Sequence, residues 1–138
     1  MDLVGNEHFK IIPITDNTHW HEEHSKGIGG SDAGIICNLS SYKSPYELWE
    51  EKTGLKKSPI ITNKAIELGN ALEPILFNLF SKMQEEYITI DTKDIALVSN
   101  LYPFMRANLD GALLDHNGNY GILEIKTTTI QNMSMVDK

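Results

Sequence analysis

The sequence predicts an α/β fold of the α+β kind, in which helices come first and then flank a mostly antiparallel central sheet. Helical signals with caps fill the stretch from Asp16 to Glu86, and β-prone segments dominate from Tyr87 to Thr128. At 138 residues and 41% apolar content, the chain reads as one domain over 1–138 with a sizeable core.

Phe9 to Ile14 is a short apolar strand, confined to an edge or an end by Pro13. Asp16, Asn17 and Thr18 offer N-caps for a helix through Trp20 to about His24. The glycine-rich stretch Gly27-Ile-Gly-Gly-Ser-Asp32 precedes an apolar run from Ala33 to Leu39, and Ser31 is a fitting N-cap for a helix over that run. Free N–H groups at such a helix start suit a phosphate, and a plain tight turn is an equal reading. Ser44-Pro-Tyr-Glu47 is a capping box with proline at the first helical position, and Gly54 supplies the stop, so a helix spans Pro45 to Thr53. A longer helix runs from about Asn63 to Glu86 with Ala65, Leu68, Leu72, Leu76, Leu79 and Met83 as its apolar stripe. Pro74 inside it predicts a kink or a break. Glu73 lies just before that point and Gly69 one turn earlier. A carboxylate beside so small a residue could hold a metal or its water, or could simply be solvated. Tyr87–Ile90 and Ile95–Val98, joined by Asp91-Thr-Lys-Asp94, read as a hairpin.

The last hairpin, Phe104–Leu114 with Tyr120–Thr128, turns on its register. A two-residue turn at Asn117-Gly118 places Asp110 opposite Ile125, pointing away from Glu124. A three-residue loop His116-Asn117-Gly118, with Gly118 in the left-handed region, places Asp110 opposite Glu124 with Cβ atoms roughly 5 Å apart. Lys126 then shares the face of Glu124. Two carboxylates that close repel unless a hard cation lies between them, and oxygen ligands of this kind suit Mg2+ or Mn2+. Asp110 with Glu124-x-Lys126 is the minimal set for metal-assisted hydrolysis of a phosphodiester. A surface hairpin whose charges face water is the plain alternative.

The formal charge is −7 and Arg106 is the one arginine, which argues against broad adhesion to nucleic acid but not against a local basic groove. No apolar run reaches membrane-spanning length and no signal-peptide core opens the chain, so no membrane role and a cytoplasmic, reducing setting are expected. Cys37 reads as a small buried hydrophobe. His19, His21 and His24 do not make a zinc site, because 19 and 21 point to different sides of a helix and no cysteine completes a tetrahedral set. The glycine-rich loop lacks a Walker ending, and Ser31 lies outside a nucleophile elbow.

Five ordered blocks resemble the YqaJ-like viral recombinase family, relatives of the phage lambda exonuclease. They are Trp20 with Gly27-Ile-Gly-Gly-Ser-Asp32; Ser44-Pro-Tyr-Glu-Leu-Trp-Glu-Glu-Lys-Thr-Gly54; Gly69-Asn-Ala-Leu-Glu73-Pro74; Ala107-Asn-Leu-Asp110-Gly111; and Leu123-Glu124-Ile-Lys126-Thr127. The resemblance implies a restriction-endonuclease-like core and a magnesium-dependent exonuclease. Such an enzyme degrades one strand of linear double-stranded DNA from its 5′ end in phage recombination. It further implies that Asp110, Glu124 and the carbonyl of Ile125 are metal ligands, that Lys126 orients the attacking water, and that Glu73 helps hold a second metal or its waters. Ser31, with the Gly29-Gly30 backbone, would receive the terminal phosphate. His24 stands where the family usually has arginine, which implies a weaker and pH-dependent hold on that phosphate. A single-strand annealing protein is the implied partner, and a homotrimer around DNA the implied assembly. Family members continue past the Glu-x-Lys strand with a helix and further strands, so a C-terminally truncated domain is expected here. An endonuclease or nickase on the same fold, and a non-catalytic remnant that binds DNA or a partner, are the competing functions.

Overall fold

The computed structural model describes residues 3–57 and 63–127. Its order is β1 (Phe9–Pro13), α1 (Asn17–Ser25), α2 (Gly30–Ile36), α3 (Pro45–Lys52), α4 (Lys64–Met83), β2 (Tyr87–Ile90), β3 (Ile95–Ser99), β4 (Arg106–Ala107), β5 (Gly111–Asp115) and β6 (Tyr120–Leu123). The fold is α+β, with two antiparallel three-stranded sheets, β1-β3-β4 and β2-β5-β6. Contacts divide the chain into two compact units. One comprises the described residues of Met1–Ile60 and Thr92–Leu109, the other those of Ile61–Asp91 and Asp110–Lys138.

In the first unit β1 is an edge strand, paired from Phe9 with Ser99 to Pro13 with Ile95, and Pro13 falls at its end where a missing N–H costs least. Ala96 and Val98 point to one face of β3 and are 4% and 1% exposed, which makes that face the centre of this core. Asp16 caps α1 by accepting the His19 amide at 2.9 Å. Ser44 and Glu47 close the capping box of α3, and Leu48 is that helix's buried residue. Fully burying a leucine of this kind contributes about 1.5–3 kcal/mol.

The second unit lays α4 against β2-β5-β6. Asn63 caps α4 through the Ile66 amide at 2.9 Å. A Cβ at Gly111 would come within 2.7 Å of the Phe77 ring, so glycine is what lets that ring approach β5. Ile90 and Ala112, paired across β2 and β5 and each 2% exposed, form the core of this unit.

Several expectations change. The helix α4 is unbroken at Pro74 and ends at Met83, and its half-buried residues include Leu72, Leu76, Phe77 and Phe80, while Leu68, Leu79 and Met83 are exposed. Tyr87–Ile90 and Ile95–Ser99 do not form a hairpin, since β2 pairs with β5 and β3 with β1. The strand from Phe104 is interrupted between Ala107 and Gly111. The helix after the glycine-rich loop is capped by Gly29 and not by Ser31. Cys37 is exposed at the C-cap of α2, not buried. Thr128 to Lys138 lie outside the described residues, as does the end of the strand expected to reach Thr128. Among the described residues no helix is long and apolar enough to cross a membrane.

Candidate active site

The loop between β5 and β6 takes three residues. The Gly118 amide donates to the Asp115 carbonyl at 3.2 Å and the Asp115 amide to the Asn119 carbonyl at 3.0 Å. Gly118 has φ +84°, a region costly for residues with a Cβ. The Asp115 carboxylate accepts the amides of Asn117 and Asn119, both at 2.8 Å, and these bonds hold that loop together and keep the carboxyl below the usual carboxylate range. The ladder therefore pairs Leu114 with Tyr120 and ends with Gly111 opposite Leu123. Continued one position further, that register puts Asp110 opposite Glu124. The Ile125 amide donates to Asp110 Oδ2 at 2.6 Å, which ties the two chain segments together just past the sheet. Of the two registers open in the sequence, this is the one that joins the carboxylates.

Lys126 pairs with Glu124, and that hydrogen bond holds its ammonium above the ordinary lysine pKa. Both side chains face outward, at 80% and 51% exposure. Glu73 reaches the same place from α4. Burial raises its pKa first, and the charges of Asp110 and Glu124 raise it further against the pull of Lys126. Asp110, Glu124, Ile125, Lys126 and Glu73 are thus gathered within the second unit. A cleft of about 360 Å³ opens beside them, lined by Glu73 and Lys126 together with Asn63, Gly69, Asn70 and Thr127.

The donor set suits a hard divalent cation, because it consists of carboxylate oxygens with a backbone carbonyl close at hand. Like charges that lift the pKa of Glu73 are charges that such an ion would offset. Among the described residues no three His, Cys, Asp or Glu side chains already converge on one ion-sized point.

Gly30, Ser31 and His24 belong to the first unit. Gly30 and Ser31 are exposed in the first turn of α2. The start of that helix is already engaged by Asp32, whose Oδ2 accepts the Gly29 amide at 2.9 Å and pairs with Lys52 Nζ at 2.9 Å. Lys52 also donates to the His24 carbonyl at 3.0 Å. The His24 ring stacks on Trp20 with centroids 4.7 Å apart, and burial, then the Lys52 charge, lowers its pKa, which favours the neutral ring. Lys52 is the cation at this helix start that sequence reasoning missed; the signal was a lysine in the last turn of α3, one of many surface-type lysines. Arg106 is committed internally, donating from Nη1 to Glu23 Oε2 at 2.6 Å and to the Glu23 carbonyl at 3.2 Å.

Comparison with known proteins identifies the family. The model of the YqaJ-like viral recombinase domain matches residues 19–138. The uncharacterized protein YqaJ of Bacillus subtilis (strain 168) is 37% identical over 114 residues, covering 83% of this chain. The chain spans about a third of that relative's length, 34%. With the family model running over residues 19–138 and a relative of this identity over most of the chain, the chain belongs to the YqaJ-like viral recombinase family.

Proposed function

We propose that this domain is a metal-dependent deoxyribonuclease of phage-type recombination, acting as a 5′-to-3′ exonuclease on linear double-stranded DNA. The observation that carries the reading is the register that sets Asp110 against Glu124 with Lys126 beside them. A buried-core hairpin does not need two carboxylates facing each other at its open end, and their mutual repulsion is a cost that function can explain.

Asp110, Glu124 and the Ile125 carbonyl would hold a magnesium ion, with Glu73 supporting a second ion or its waters. When bound, the metal supplies Lewis-acid activation of water and neutralises charge on the phosphodiester. Lys126 aligns the attacking water and steadies negative charge as it builds on the phosphate. Burial and the neighbouring carboxylates raise the pKa of Glu73, so it holds a proton more readily than an ordinary glutamate, and a bound cation would offset that repulsion. At the other group of residues, the exposed Gly30 and Ser31 backbone would receive a terminal phosphate, with Lys52 held by Asp32 and the His24 carbonyl and with His24, its pKa lowered, adding little charge. The partners in this reading are double-stranded DNA ends, a single-strand annealing protein and copies of the same chain in a trimer.

End-labelled linear duplex tests the polarity. With magnesium present, a 5′ label is expected to leave as a mononucleotide before a 3′ label on the same strand is released. Release of the 3′ label first would reverse the assignment.

A further inference from the structure

We propose that the cleft between the first half of α4 and the segment 125–127 seats one nucleotide next to the scissile bond, through its sugar and base and not its phosphate. In this proposal Gly69 sets the size of the group admitted. The inference rests on the nuclease reading of the neighbouring carboxylates.

Ile66, Gly69, Asn70 and Glu73 share one face of α4 by their spacing of three and four, and this face is one wall of the cleft. Its volume of about 360 Å³ falls at the small end of the ~300–1,000 Å³ typical of small-molecule sites. The lining suits a sugar or base edge better than an anion. Glu73 lines it with an acidic side chain, and the ammonium of Lys126 is turned to Glu124. Asn70 and Thr127 offer an amide and a hydroxyl, groups that both donate and accept, and neither side chain has a hydrogen-bond partner among the described residues. Asn63 Oδ1 is fixed by the Ile66 amide at 2.9 Å, which leaves its NH2 to donate.

Gly69 stands in the interior of a 20-residue helix, where glycine is disfavoured relative to alanine. It has no positive φ that would demand glycine. Space is the remaining reason. A Cβ there would lie 3.6 Å from Thr127 Oγ1, an ordinary contact, so alanine fits and any longer side chain runs into the cleft.

The test uses the wild type, Gly69→Ala, Gly69→Leu and Glu124→Ala, each followed by thermal melting, by cutting of linear duplex, and by amide NMR shifts with deoxythymidine or inorganic phosphate. Gly69→Ala and Gly69→Leu are expected to melt at or above the wild type, which shows that they fold. Gly69→Ala keeps most of the cutting, whereas Gly69→Leu loses on the order of tenfold or more in kcat/KM, mainly through KM. Deoxythymidine shifts the Asn70 and Thr127 amides in the wild type and in Glu124→Ala but not in Gly69→Leu. A folded wild type that cuts nothing yet shows those shifts supports the cleft and removes the nuclease reading. Absence of the shifts from the wild type, equal shifts with inorganic phosphate, or a Gly69→Leu variant that cuts like the wild type overturns the proposal.

Discussion

The Ile125 amide donates to Asp110 Oδ2 at 2.6 Å, and this bond links the two strands one step beyond their last ladder pair. It holds Asp110 against the segment that carries Glu124 and Lys126. A shift of one residue in the hairpin would turn every side chain on one strand to the other face and separate this set.

Gly118 is where that register is most easily disturbed. With φ at +84°, a β-branched residue is strained there, and Gly118→Val is expected to cost about 1–2 kcal/mol of stability. The same variant should lose cutting beyond what the stability change explains, because the three-residue loop is what places Asp110 opposite Glu124. Gly118→Asn, which tolerates the left-handed region, should keep both. Denaturant melts and initial cutting rates for the pair check this; equal activity in Gly118→Val would mean the loop does not set the site.

Glu73 gives a pH signature. Its pKa is raised in the folded state, so between the ordinary glutamate value and the raised one the folded chain holds a proton that the unfolded chain has released. Stability therefore falls as pH rises across that window. Glu73→Gln is expected to melt higher than the wild type at pH 7, with the gap closing once the pH is below the ordinary glutamate value. Magnesium should raise the melting temperature of the wild type more than that of the variant. Melting curves over pH, with and without the metal, settle the sign.

Glu23 titrates the other way. Its hydrogen bonds from Lys26 and then Arg106 lower its pKa, so its contribution is present above the ordinary glutamate value and is lost as pH falls through the lowered one. Glu23 is 8% exposed and the Arg106 side chain 16%, so removal of one partner strands a largely buried charge. Glu23→Gln should destabilise by about 2–4 kcal/mol near neutral pH and by less in acid. Urea denaturation at two pH values measures it, and a pH-independent loss would contradict the assignment.

The hairpin and its candidate residues were legible in the sequence, but the choice of register was not. Asn117-Gly118 fits a two-residue turn as well as a three-residue loop, and what separates them is the Asp115 carboxylate accepting two loop amides. Ser31 has the chemistry of a cap, yet Asp32 reaches back to the Gly29 amide and starts the helix earlier. The chain between Tyr87 and Ser99 has strand-turn-strand propensity, but propensity does not say which strand pairs with which. Thr92 is buried, its hydroxyl donates to the Leu109 carbonyl at 2.6 Å, and the two strands join different sheets. In α4 the apolar stripe was displaced toward Phe77 and Phe80, because Gly111 leaves room for an aromatic ring. Lys52 could not be singled out, since its role depends on a contact with the carbonyl of His24, 28 residues earlier in the chain.

The most direct test of the account is digestion of linear and covalently closed circular duplex DNA, with magnesium and with a chelator, by the wild type and Glu124→Ala. Loss of linear DNA alone is expected, abolished by chelation and reduced on the order of 10²-fold or more in Glu124→Ala. Cutting of circles, or cutting of linear DNA that survives both chelation and Glu124→Ala, would contradict it.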